Sequence, residues 1–380
     1  MKYFDNCATT IVDDEVITAM NKIHKELFFN PSSLSASALQ AKNLIEDSRE
    51  IVAKCIGAQK SEILFTSGGS ESNNTAIFGS LRNNKGKIIT SKTEHASVFY
   101  TLNEMKNRGF DVVYAPLNSD GSVKTEKFED LIDDETRLVA LMHVNNETGA
   151  INDIAELCKK TKAKNKNCLF LCDGVQAFCK VPVNVKNLDV DFYSMSAHKI
   201  HGPKGVGALY IKNGVKISPL IFGGGQENNL RSGTENVAGI AGFGVAVKNA
   251  NVIIEDNFNK FIEFKTILKD TIFNIVDNFI EISSDNSSPN IFSVAFKNIK
   301  SEVLMRFLEA EGFIVGNGSA CSSKSKLNRI SQAINLPQEY SEGIIRICFC
   351  KYNTEDEVIR LANSLASNVQ RLTKLMGFTK

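Results

Sequence analysis

Residues 188–212 read LDVDFYSMSAHKIHGPKGVGALYIK. Two apolar runs, VDFYSM and GALYIK, flank a polar turn that holds one lysine, Lys199, and two of the chain's five histidines. Short apolar runs bounded by Gly and Pro are strand-like. A lysine beside a packed strand is costly unless something bonds or pairs with it. Lys199 therefore asks for a role.

The same texture extends outward. Strand-like runs EILFTS, KIITS, DVVYAPL, RLVALMHV and CLFLCDG precede that stretch, and helical patterns fall at Ser70–Arg82, His95–Lys106 and Asp153–Lys164. This alternation predicts an α/β fold with a mainly parallel sheet covered by helices. After about Ala250 the pattern changes. One long helix is expected over Asn251–Phe273, followed by NIFSVAFK, a helix around Ser301–Glu311, FIVGNG, GIIRICFC and a last helix over Thr354–Met376. We read this part as a smaller α+β unit. The length of 380 residues agrees with two packed units rather than one core.

Composition narrows the function. With 44 basic and 43 acidic side chains the net charge is +1, which leaves no electrostatic footprint for nucleic acid or an anionic membrane. No apolar run is long enough to cross a bilayer, and MKYFDNCATT has no signal-peptide core, so a cytoplasmic protein is expected. Its nine cysteines are then expected to be reduced. They include no CxxC pair, so no structural zinc site is expected.

In open α/β sheets, ligands bind beyond the carboxyl ends of the strands. The residues following the runs are TSGGSESNN, KTEHAS, HVNNETG, CDGVQ and SAHK, all small, polar or ionisable. Gly68 and Gly69 open a helix whose N-terminus suits a phosphate, though a plain turn capped by Ser70 has the same sequence. Asp173 ends a buried strand and could pair with a protonated ring nitrogen, a salt-bridge partner or a helix end. His95 could stack on a flat ring, act as acid or base, or cap a helix. His198-x-x-His201 has the spacing of a metal pair, but no carboxylate or thiol lies close by and Gly and Pro bound the segment. Taken with Lys199, the set describes pyridoxal 5'-phosphate (PLP): a lysine for the Schiff base, a carboxylate for the ring nitrogen, a stacking histidine and a phosphate cradle.

Along nearly its whole length the chain resembles the cysteine desulfurases of the NifS/IscS kind, in the class-V aminotransferase group. The resemblance rests, in order, on YFDNCATT, NPSS, FTSGGSESNN, TEHASV, VNNETG, DGVQA, SAHKIHGPKGVGALY, GGGQENNLRSGTENV, GSACSS and IIRICF. It implies a fold type I PLP-dependent transferase with a seven-stranded sheet, working as a homodimer. The large domain would span 15–255; 1–14 and 256–380 would form the small one. Lys199 would hold PLP, His95 would stack on it, and Asp173 would pair with its ring nitrogen. Gln176 and Asn146 would bond the ring oxygen or the substrate. Gly69, Ser70, Ser196 and His198 would hold the phosphate, with Thr234 reaching the phosphate of the other subunit. Arg346, with Asn30 and Asn146, would bind the substrate, and Cys321 would be the nucleophile. Lys324 and Lys326 beside it favour a thiolate, and its Gly- and Ser-rich surroundings suit a moving loop.

The implied reaction converts L-cysteine to L-alanine and leaves a persulfide on Cys321. The sulfur would pass to an acceptor such as an Fe–S scaffold or a tRNA-thiolation enzyme. No resident metal is expected; only a transient Fe–S contact at Cys321 is implied. Rival readings are a selenocysteine lyase or other β-lyase, and a catalytically silent scaffold for sulfur-transfer partners. The chain departs from the family pattern at Gly69-Ser70, where Ala-Thr is usual, and at Cys7, where alanine is frequent. It lacks a histidine in LSASA, and it carries Asn228-Asn229, Cys348 and Cys350 where Arg-Gly, Ser and Gly are common.

Overall fold

The computed structural model describes residues 1–81, 85–318 and 329–375. The strands β2 (Ile63–Thr66), β3 (Lys87–Thr90), β4 (Asp111–Tyr114), β5 (Thr136–Met142), β6 (Leu169–Asp173), β7 (Phe192–Ser196) and β8 (Gly207–Ile211) form one sheet in the order β2-β8-β7-β6-β5-β3-β4. Only β8 runs against the others. Central strands of such a sheet are covered on both faces, so they read as continuous apolar runs rather than alternating ones. Accordingly, every residue of β7 and β8 is buried.

The helices around this sheet are α1 (Asp14–Glu26), α2 (Ala36–Cys55), α3 (Gly69–Ser80), α4 (Ala96–Asn107), α5 (Thr125–Phe128), α6 (Ile154–Lys164), α7 (Val185–Leu188) and α8 (Val237–Asn251). Side chains start five of them: Ser35 accepts from Ala38 N, His95 from Ser97 N, Asp153 from Glu156 N, Asn184 from Lys186 N and Asn236 from Gly239 N. Helix α8 packs against α1 and α2. It was missed in the sequence because ten of its fifteen residues are buried, so no polar stripe marks a period. The helix expected over Asn251–Phe273 is α9 (Ile254–Ile275), separated from α8 by a break at Val252–Ile253.

A second sheet has the order β1-β11-β12-β10-β9. It contains β1 (Lys2–Phe4), β9 (Phe279–Glu281), β10 (Ile291–Phe296), β11 (Phe313–Asn317) and β12 (Ile344–Cys348). Its apolar side chains and those of α9, α10 (Ser301–Ala310) and α12 (Glu355–Leu375) form a core of their own around Phe4, Phe292, Phe296 and Leu365. The short α11 (Arg329–Ala333) lies on the approach to β12.

From β1 the chain runs into the end of the first sheet. Thr10 N donates to His198 O and Asp13 N to His201 O, at 3.0 Å each. This crossing brings residues 5–10 against the turn that carries Lys199. A further clamp fixes the loop before α8. Arg49 holds Glu227 through two bonds of 2.7 and 2.6 Å, while Phe65 N donates to the same carboxylate. Glu227, Asn228 and Asn229 all have positive φ, which Asn adopts more readily than most side chains. That conformation gives the Asn-Asn departure a structural reason.

Candidate active site

Lys199 closes a three-residue turn, Ala197–Lys199, directly after β7. Its Nζ donates to the carbonyls of Cys7 at 2.5 Å and Ala8 at 2.7 Å. No carboxylate pairs with it among the described residues. Burial and the nearby Lys180 ammonium bring its pKa down to about 8, against an opposing pull from Cys7. A good share of the amine is therefore neutral near physiological pH.

Asp173, at the end of β6, is buried. Its Oδ1 accepts from Ser194 Oγ and Val175 N, and its Oδ2 from Asn73 Nδ2 at 2.8 Å. All these donors are neutral. Asn73 Nδ2 also donates to Ser97 Oγ, which meets His95 Nδ1 at 2.8 Å. His95 caps α4, because Nδ1 also accepts from Ser97 N. The ring proton therefore belongs on Nε2. Burial lowers the His95 pKa against the pull of Asp173, so the imidazole is neutral. Asp173, Asn73, Ser97 and His95 thus form one hydrogen-bonded chain. Next to it, burial and Asp173 push the Glu94 carboxyl up to about 8, even though Ser91 donates to it.

Helix α3 starts at Gly69 with Gly68 as its N-cap, not Ser70, and no side chain caps it. The first-turn amides of such a helix lack partners. A Cβ at Gly69 would sit 2.5 Å from Val175, so even alanine would have to displace that side chain. This explains the Gly69 departure. Ser196, buried at the end of β7, has its Oγ 3.7 Å from where a Cβ on Gly68 would lie. His198 Nδ1 meets Thr9 Oγ1 at 3.1 Å, and burial with Lys199 and Lys204 nearby drops its pKa to about 4. Ser70 is exposed on the first turn.

Arg346 arrives from the other sheet. Its Nη2 donates to Asp5 at 2.6 Å and Nη1 to the Asn146 carbonyl at 2.8 Å, while Nε is buried without a partner. Gly316, opposite it on β11, has to be glycine: a Cβ there would lie 2.5 Å from Asp5 and 2.9 Å from Arg346. Gln176 spends both ends of its amide on protein. Nε2 donates to Cys7 O at 2.9 Å, and Oε1 accepts from Lys180 Nζ at 2.6 Å.

Lys199, His95, Asp173, Gln176, Ser196, His198, Gly69 and Ser70 thus gather at the carboxyl edge of the first sheet, and Arg346 and Asn146 meet beside Asp5. Thr234 and Asn30 lie on exposed loops and bond to none of these; Asn30 Oδ1 accepts from Ser32 N. Cys321, with Lys324 and Lys326, lies outside the described residues. Sequence reasoning missed Asn73, Ser97, Ser194, Glu94, Lys180 and Asp5. Asn73 and Asp5 lie inside quoted motifs, but polarity alone does not reveal which carboxylate or guanidinium each one meets.

A family model described as "Aminotransferase class-V" matches residues 2–361. The "Cysteine desulfurase IscS" of Dictyoglomus turgidum is 41% identical over 381 residues, covering 99% of this chain and 96% of that protein. Among solved structures, a "NIFS-LIKE PROTEIN" superposes with a TM-score of 0.92 at 38% identity, covering 97% of this chain and 99% of its own. "SspA in complex with cysteine" gives a TM-score of 0.82 at 34% identity, covering 93% and 100%.

Proposed function

The chain belongs to the class-V aminotransferase family and to its cysteine desulfurases, and on that premise we propose that it takes sulfur from L-cysteine with PLP as cofactor. One observation carries the reading to this molecule: Asp173 and Lys199 stand at one sheet edge, each without a salt-bridge partner among the described residues.

The residues present fit PLP. The buried Asp173 carboxylate has only neutral donors, which suits a protonated ring nitrogen. The uncapped start of α3, with Ser196 and His198 near it, suits a phosphate dianion. The Lys199 amine, with its lowered pKa, suits attachment to an aldehyde. Bound there, PLP supplies an electron sink that acidifies the α-proton of an amino acid and loosens its sulfur.

The protein's own groups do the rest. Arg346 Nε is an unspent buried donor for the substrate carboxylate, and Asp5 holds the guanidinium in place. Lys199 Nζ takes the α-proton, which its depressed pKa allows near neutrality. His95 keeps its Nε2 proton for the substrate side, since Nδ1 is committed to Ser97. The Cys321 thiolate attacks the sulfur of the substrate. The S–S bond forms as the C–S bond breaks, so L-cysteine and a thiol become L-alanine and a persulfide.

The working unit in this reading is a homodimer. Its support is the apolar run Leu220, Ile221 and Phe222, exposed beside the Thr234 loop through the Ile221–Arg231 bridge. The sulfur acceptor is an Fe–S scaffold or a tRNA-thiolation enzyme, and the persulfide on Cys321 is what it recognises. The test incubates wild-type protein and Cys321→Ser with L-cysteine and with L-selenocysteine. Alanine and the persulfide mass on the Cys321 peptide are then measured. Wild type gives both products from cysteine, and the serine variant gives almost none. Normal alanine from cysteine in Cys321→Ser would overturn the role of that thiol. Turnover of selenocysteine alone would make the protein a selenocysteine lyase.

A further inference from the structure

Lys180 follows the turn that carries Gln176, and among the described residues no carboxylate pairs with its partly buried ammonium. Its Nζ donates to Gln176 Oε1 at 2.6 Å, Gln176 Nε2 donates to Cys7 O at 2.9 Å, and the same carbonyl receives Lys199 Nζ at 2.5 Å. Lys180 and Lys199 also line one cavity of about 50 Å³, together with Thr10, His201 and Cys350.

Two consequences follow from elementary chemistry. An amide side chain can turn either its oxygen or its NH2 toward a neighbour, but an ammonium can only donate. Lys180 therefore admits a single orientation of Gln176, with Oε1 inward and Nε2 on the Cys7 side with a second hydrogen to give. The other consequence concerns charge. Arg346 is matched by Asp5 at 2.6 Å, whereas Lys180 has no such match. The charged and titratable groups that act on Lys199 are Lys180 and Arg346, which oppose a second ammonium, and the thiols of Cys7 and Cys348, which favour one when ionised. Lys199 in turn disfavours the cationic forms of His95 and His198. Burial raises the Cys7 thiol, but the Cys348 hydrogen bond and Lys180 bring it down to about 6. The groups acting on Lys180 are the same two thiols, Cys179, Arg346 and, reciprocally, Lys199, while Lys180 disfavours the cationic forms of His198 and His201.

We propose that Lys180 is a positioning residue of the desulfurase site: it fixes the Gln176 amide in one orientation and sets a positive charge, paired with no carboxylate among the described residues, beside the Lys199 amine. That role rests on the reading of Lys199 given above. Its consequence is an amine that sheds its proton early enough to react near neutral pH. Burial disfavours the Lys180 ammonium as well.

The test acylates amines of the full chain, freed of cofactor, across a pH series and reads each lysine by peptide mass. In wild type, Lys199 reaches half its limiting reactivity near pH 8 while Lys180 is still protonated. Lys180→Met moves the Lys199 midpoint up by about one pH unit. Lys180→Arg, which keeps the charge, leaves the midpoint in place. In the loaded enzyme the pH midpoint of the bound cofactor's absorption moves in the same direction for the Met variant. A merely structural Lys180 would lower the melting temperature and leave both midpoints unmoved, and that outcome overturns the proposal. Loss of the Lys180 proton at lower pH than that of Lys199 in wild type overturns it too, and this needs no variant to fold. Failure of the underlying reading shows separately, because loading wild type with PLP would then not protect Lys199 from the reagent.

Discussion

At the amino-terminal edge of the seven-stranded sheet, Lys162 reaches Asp191 at 2.6 Å, Lys212 pairs with Asp189, and Lys87 with Asp133. At the carboxyl edge of the same sheet, Asp173, which ends β6, and Lys199, in the turn after β7, have no such match among the described residues. The strands are the same; only the treatment of charge differs. A buried charge is tolerated when it is paired, and one left unpaired is a cost that a bound ligand can lift. One edge is complete as folded. The other reaches balance only when a cation meets Asp173, an anion meets the α3 N-terminus and the Lys199 amine is consumed. Strained or perturbed groups concentrate where chemistry happens for the same reason.

The largest effect expected from this contrast is at Lys199. Lys199→Ala should cut alanine formation by about a thousandfold or more, since the general base is lost along with the attachment point. Its melting temperature should hold or rise, because a partly buried ammonium disappears. A melting temperature that falls sharply would mean that Lys199 serves the fold, and the contrast between edges would dissolve.

Much of the carboxyl edge was legible because each apolar run ends in a residue that does not belong in a core: Asp173 after CLFLC, His95 after KIITS, Lys199 after VDFYSM. The strand expectations matched for the same reason, since runs buried on both faces need no alternation to be seen. What stayed hidden depended on encounters between distant segments. Nothing in QAFCK says that Lys180 reaches Gln176, and nothing in FDN says that Asp5 reaches Arg346 across 341 positions. The three-residue β1, which delivers Asp5, is too short to show a period and is held by pairing with β11. Helix α8 was invisible for the opposite reason, being apolar nearly all round.

Arg346→Ala comes next in size. Losing a charge-assisted bond to the substrate carboxylate costs about 1.5–3 kcal/mol, so KM for cysteine should rise about tenfold or more. An unaltered KM would place the carboxylate elsewhere. At the opposite edge, Lys162→Met should destabilise the fold by about 3 kcal/mol, because it leaves the buried Asp191 carboxylate unpaired. Turnover per folded molecule should not change. If chemical denaturation shows no loss, or if kcat falls, the paired edge is not the purely structural one described here.

The smallest effect is the most specific to the open edge. Glu94 lies beside the Asp173 chain, buried, with Oε2 lacking a hydrogen-bond partner and a carboxyl pushed up to about 8. Burial is the main cause, Asp173 adds to it, and Ser91, the Met142 amide and Arg329 oppose it. In the unfolded chain a glutamate ionises near its ordinary value of 4.5. Between that value and about 8 the folded protein keeps a proton that the unfolded chain has released. Stability from this group is therefore fully present below pH 4.5 and is lost as pH rises through about 8, by up to about 1.4 kcal/mol per unit. Glu94→Gln keeps the shape and removes the proton. Denaturation of the two proteins at equal cofactor load should show the variant gaining on wild type by about 1.4 kcal/mol between pH 6 and 7. Parallel curves would mean that Glu94 is ionised in the fold. A second carboxylate would then sit beside Asp173, with Arg329 as the cation acting on it.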